Sequence, residues 1–232
     1  MKKIVFALVC CIGFIGTAQT DLKKHYEAFY KEMSAQGDVN GVINALTHLN
    51  VLSPSKGRKD TLAYIYANNN QHLQALNTIG IEKSESDSDL AVQVKAISLK
   101  ALNEPKRALE QFEILFKRNP NAYLAYELAD LKILTGDTAG ASESVAFGLS
   151  NVKDDMKRAF YERQSPYETS LKAAFLHLKG LIAYNLDKSK IDVALGLIDE
   201  ALKIDPKFNL ASLTKQALEG RKNPPAEAEV KQ

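Results

Sequence analysis

Val42, Ala75, Ala108 and Ala141 follow one another at intervals of 33 residues. Four positions after each stand Leu46, Ile79, Phe112 and Val145, and twelve before each stand Tyr30, Ala63, Ala96 and Ala129. Short polar turns, Gly37-Asp38, Asn69-Asn70, Asn103-Glu104 and Gly136-Asp137, sit just ahead of each segment that carries the first set. Apolar residues at helical spacing on both sides of a polar turn, recurring at a fixed period, describe two antiparallel helices per repeat. A hairpin this short cannot bury its apolar face alone, so neighbouring repeats must stack on it.

The stretch LNEPKRALEQFEILFKRNP, residues 102–120, contains one complete second helix. Pro105 fits the first turn, where a missing N–H leaves nothing unpaired, and Asn103 is the expected cap. Ala108, Phe112, Leu115 and Phe116 form one helical face. Pro120 closes it, because the residue before a proline avoids the helical region. The alanines recur for a packing reason: two helix axes approach closely only where side chains are small. Ala96 against Ala108, and Ala129 against Ala141, are the expected close contacts.

Later in the chain Ala194, Ile198, Ala201 and Pro206 repeat this pattern. Ahead of it, Ser165, Pro166 and Glu168 have the form of a capping box, which predicts a helix from about Pro166 to Leu186. Val145, Leu149, Val152, Met156 and Phe160 keep a helical stripe, so an extended or extra helix is expected through the interruption at about 151–165. Leu210, Leu213 and Ala217 predict a terminal capping helix ended by Gly220. Residues 219–232, polar and proline-containing, read as a disordered tail.

The chain opens MKKIVFALVCCIGFIGTAQT. Lys2 and Lys3, the apolar run Ile4 to Ile15 and the small residues Gly16-Thr17-Ala18 are the parts of a secretory signal peptide. The run is shorter than the roughly 20 residues a bilayer span needs. Residues 1–18 are therefore expected to be removed near Ala18-Gln19, which predicts a periplasmic or secreted protein. Removal would leave 214 of 232 residues, neither of the two cysteines, and 28 basic residues against 28 acidic ones. Such a chain has no thiol chemistry. It also has no global field to attract nucleic acid or an anionic membrane, and no stable membrane insertion is expected.

The repeat resembles the tetratricopeptide repeat (TPR). Ala96, Leu99, Ala108, Phe112, Leu115 and Pro120 carry the match in one repeat, and Gly180, Tyr184, Ala194, Ile198, Ala201 and Pro206 in another. The resemblance covers about residues 23–218. The chain departs from the family in having no tryptophan, a period of 33, two degenerate leading repeats and the interruption at 151–165. The resemblance implies an all-α, right-handed α-solenoid of about five repeats plus a capping helix, over residues 19–218. It further implies a non-catalytic scaffold in which the first helices of successive repeats line a concave groove for a peptide or protein partner. The groove side chains would then be Lys31, Asp60, Tyr64, Gln93, Lys100, Tyr126, Asp130, His177 and Tyr184. Tyr64 and Tyr126 are the leading anchors, since aromatic residues carry interfaces more often than charges do. The Lys/Asn/Arg arrangement by which some family members clamp a chaperone's terminal carboxylate is not evident.

Nothing in the chain reads as catalytic. His25, His48, His72 and His177 lie far apart and show no HExxH spacing, so no metal ligand set is expected. The acidic run KSESDSD, 83–89, lacks the glycine turn and terminal glutamate of a calcium loop, and reads as a solvated loop with Ser88 or Asp89 capping the next helix. There is no Ser–His–Asp, P-loop or dinucleotide signature, hence no cofactor and no enzyme. A second reading, a cell-surface receptor for carbohydrate or a small ligand, draws on the nine tyrosines. The absence of tryptophan, the largest aromatic platform, weighs against it.

Overall fold

A computed structural model describes residues 2–223, with side chains described from Gln19 onward. The side chains of the expected leader 1–18, and residues 224–232 of the expected tail, lie outside this description. The chain forms two compact bodies, Met1–Gln111 and Phe112–Gln232. The first contains α1 (Lys2–Gln36), α2 (Val39–Leu52), α3 (Lys56–Asn68), α4 (His72–Ile79), α5 (Asp89–Ala101) and the start of α6 (Pro105–Arg118). The second contains the rest of α6, then α7 (Ala122–Thr135), α8 (Thr138–Asn151), β1 (Lys157–Phe160), β2 (Tyr167–Ser170), α9 (Leu171–Leu186), α10 (Ile191–Ile204) and α11 (Asn209–Lys222). Among the described residues no helix is long and apolar enough to cross a membrane.

The period of 33 is written in the backbone. Gly37, Asn70, Asn103 and Gly136 all adopt positive φ, at 70°, 58°, 59° and 85°. Each ends a first helix. The following amide donates to the carbonyl five residues back (Asp38 to Met33, Gln71 to Tyr66, Glu104 to Leu99, Asp137 to Lys132), at 2.9 Å in all four. This is the Schellman closure, which favours glycine or asparagine because a Cβ opposes the left-handed conformation. Asn103 therefore closes α5 and does not cap α6 as expected. Asp38 and Asp137 then cap the second helices, accepting from the amides of Gly41 and Gly140.

The repeating alanines sit where close packing requires them. Ala63, Ala75, Ala96, Ala108, Ala129 and Ala141 are all fully buried. The first helix pair differs: Tyr30 and Val42 are only half-buried. There the close approach falls on Gly41, where a Cβ would stand 2.5 Å from the Met33 side chain. In the first body α3 packs on α2, α4 and α5. The acidic loop before α5 is tied down by the buried Lys95, whose Nζ donates to Asp87 Oδ2 at 2.6 Å and Glu82 O at 2.7 Å. Ser88 is the cap of α5, accepting from the Ala91 amide.

The second body departs most from expectation. Helices α3, α5 and α7 begin at 56, 89 and 122, one period apart, but α9 begins at 171, sixteen residues late. Those residues hold no helix. They form an antiparallel hairpin, with Lys157 opposite Ser170 and Phe160 opposite Tyr167. The helical stripe read through Met156 and Phe160, and the helix start read at Pro166, are both overturned. Period two wins because Arg158 and Phe160 on β1, and Tyr167 and Thr169 on β2, find partners on a common side, whereas a helix would spread them around its axis.

From α7 to α11 each helix packs on the next. Tyr126, Leu171, Phe175, Leu178, Ile198 and Phe208 centre a continuous core. At Gly148 the packing leaves no room for a side chain: a Cβ there would overlap the Phe175 ring. Helix α11 runs past Gly220 to Lys222, so it extends into the segment read as tail. Its buried positions are Ala211 and Leu218, while Leu213 is 48% exposed. The core anchor Phe208, just ahead of the helix, sets this rotation in place of the expected Leu210, Leu213 and Ala217 stripe.

Candidate partner-binding faces

In the first body a groove of about 390 Å³ opens between the first helices α1 and α3. Leu46 and Leu49 of α2 form its floor. Tyr30 and Lys31 of α1 form one wall, Arg58 and Thr61 of α3 the other. Arg58 is locked by the end of α2: its Nη1 donates to Leu49 O at 2.9 Å and Ser53 O at 2.6 Å. Leu49 O already accepts the Ser53 amide and Ser53 O lies just past the helix, and a cation suits that end of the helix dipole. Lys31 is exposed. The groove thus combines an apolar floor with charges of both signs at its rim, Lys31 and the fixed Arg58 beside Glu27, the usual make-up of a site that orients a bound chain.

The other sequence-predicted residues of this body separate by exposure. Tyr64, three residues beyond Thr61 and so on the adjoining turn of α3, is 40% exposed. Gln93 is exposed and Lys100 half-buried. Asp60 is a correction. It is 5% exposed and accepts from Ser88 Oγ at 2.7 Å, joining α3 to the cap of α5.

The corresponding residues of the second body are not open. Tyr126 is 3% exposed and His177 is 2% exposed, so neither can meet a partner as placed. The hairpin is the cause at Tyr126. Arg158 lies 4.2 Å from the centre of the Tyr126 ring, and its Nη1 reaches Glu127 Oε1 at 2.5 Å. Burial pushes the Arg158 guanidinium down, but Glu127, with Tyr126 and Asp130 adding to it, holds the cation above its ordinary pKa. Phe160 packs edge-on against Tyr126, stacks on Tyr167 and leans on Phe208. The Tyr167 hydroxyl donates to Glu162 at 2.5 Å and accepts from the Leu210 amide at 3.1 Å. Thr169 donates to Asp205 at 2.5 Å.

His177 lies between α9 and α11. Its Nε2 is 2.9 Å from Thr214 Oγ1, and the Thr214 hydroxyl donates to Leu210 O. His177 must therefore supply the proton, leaving Nδ1 as a buried acceptor without a partner. Burial lowers its pKa to about 4, with Asp130 and Glu162 pulling weakly the other way. Asp130 and Tyr184 are half-buried, and Arg221 stands 5.4 Å over the Tyr184 ring. The remaining histidines are dispersed: His48 stacks on Tyr26 with centres 4.3 Å apart, and His72 meets Ser98 at 3.3 Å.

Sequence reasoning missed Arg58, Tyr30, Arg158 and Phe160. The signal for the last two was present in the excess of sixteen residues before α9 and the alternation of Lys-Arg-Ala-Phe and Tyr-Glu-Thr-Ser.

No protein-family profile matches the chain, and no curated protein matches it in sequence. Solved structures do. A tetratricopeptide repeat protein from Parabacteroides merdae superposes with a TM-score of 0.61 at 12% identity, over 84% of this chain and 72% of that one. The MamA protein superposes with a TM-score of 0.52 at 17% identity, over 89% of this chain and 97% of that one. At these identities the likeness is one of fold: antiparallel helix pairs of the tetratricopeptide kind, all-α apart from the hairpin.

Proposed function

We propose that the chain is an exported, non-catalytic scaffold that holds a protein or peptide partner in the groove between α1 and α3. One contrast supports this reading. The first helices of the first body keep an open groove with Lys31 and Tyr64 exposed, while in the second body Tyr126 is covered by the chain's own hairpin and His177 is buried against α11. An apolar floor with a few oriented polar groups suits an extended or helical segment inserting one or two side chains. Export to the periplasm or the medium follows from the leader read at 1–18.

Photo-crosslinking residues placed at Lys31 and at Tyr64 in intact cells test the reading. Both are expected to capture one discrete protein, which an excess of unmodified chain should compete away. Absence of any protein adduct at both positions, with the leader processed and the chain folded, would remove the proposal. Glycan adducts in their place would favour the small-ligand receptor.

A further inference from the structure

We infer that the hairpin is an internal ligand: the face built on Tyr126, Glu127 and Phe208 is a binding surface for a basic–aromatic strand, and β1 occupies it. The inference goes beyond the scaffold reading, which places the partner in the groove between α1 and α3. Three observations carry it. The hairpin is an addition to the repeat, sixteen residues inserted between α8 and α9 with the period intact on the α3, α5 and α7 side. Its contacts have the chemistry of recognition. One arginine lies over an aromatic ring and pairs with a carboxylate, and one phenylalanine two positions on enters a cluster of rings. Finally, the fit leaves a polar atom unpaired. Arg158 Nε is buried without a partner beneath the strand.

Permanent cores rarely leave such groups unsatisfied. A two-stranded ribbon is also marginal by itself and depends on what it lies against. Of the eight strand residues only Phe160 and Thr169 are buried, and Tyr161 at the tip is 74% exposed. The occupant that the face selects is an extended segment with arginine two residues before an aromatic residue. The spacing matters because period two puts both on one side of a strand. Glu127 sets the demand for the cation, and the rings around Phe160 set the demand for the aromatic.

The test uses the full chain and a labelled synthetic peptide of residues 156–170, MKRAFYERQSPYETS. Arg158→Ala in the protein loosens the resident strand, so the variant is expected to bind the peptide at least tenfold more tightly than the wild type. A peptide carrying the same substitution should lose that gain. Equal binding by variant and wild type, with native circular dichroism in both, overturns the inference. Should the variant not fold, hydrogen exchange on the wild type decides. The slowest amides of β1 and β2 are expected to exchange at least tenfold faster than those of α9, and exchange in step with α9 overturns the inference. Persistence of the Tyr64 crosslinks alongside either negative result would confine the failure to the hairpin.

Discussion

The guanidinium of Arg158 lies over the ring of Tyr126, 4.2 Å from its centre, and this contact places the tyrosine in the core. Tyr126 also meets Phe175 edge-on, with centres 5.6 Å apart. Burial raises its hydroxyl pKa far above the ordinary value. Two tyrosines that look alike in sequence therefore do different work. Tyr126→Ala should lower stability by about 3–5 kcal/mol, as removal of a buried aromatic side chain does. Tyr64→Ala should change it by about 0.5 kcal/mol at most, as at an exposed site. Urea melts of the two variants check this, and similar midpoints would contradict the burial described.

Glycines on α8 and α10 should respond to alanine in opposite directions. Gly148→Ala drives a methyl group into the Phe175 ring and should destabilise by about 1–3 kcal/mol. At Gly196 an added Cβ meets nothing within 4 Å. Gly196→Ala should then stabilise by about 0.5–1 kcal/mol, because alanine loses less chain entropy in a helix. Thermal midpoints moving apart in these directions are the expected result.

His177 makes the second body sensitive to acid. Its folded pKa of about 4 lies below the ordinary 6.5, so the unfolded chain takes up the proton first as pH falls. Its contribution is fully present above pH 6.5 and is lost progressively toward pH 4. At pH 5 the loss should be about 2 kcal/mol. The check is the difference in urea midpoint between pH 7 and pH 5, which should be smaller in His177→Gln than in the wild type. An equal difference in both would exclude His177 as the source.

Export gives the simplest measurement. Intact mass spectrometry of the protein from its native cells should find a chain beginning near Gln19 and lacking both cysteines, which stand at 10 and 11. A chain retaining Met1 would place the work of the groove in another compartment.

The helix pairs were legible because their determinants are local and periodic: alanines at close contacts, glycine or asparagine at left-handed joints, prolines at ends. The binding residues were less so. Tyr126 and His177 have the right phase on first helices, and what hides them comes from elsewhere in the chain, a hairpin and the residue Phe208. No local pattern encodes such a cover. Met156 and Phe160 fit a helical stripe and a strand equally over so short a span, and long-range partners chose the strand. The phase of α11 was lost for a similar reason, because its anchor precedes the helix.

The four left-handed joints at 37, 70, 103 and 136 make the chain editable in whole modules. Excising residues 71–103 would bring Glu104 directly after Asn70, and the new junction would keep an asparagine in the left-handed position with a polar residue following it. A cut one residue shorter or longer would put the wrong residue at the joint, where the left-handed conformation and the closing hydrogen bond would be lost. Length changes in this part of the chain are thus tolerated in steps of one period. The sixteen-residue hairpin escapes that rule because it entered between repeats, where no joint has to be matched.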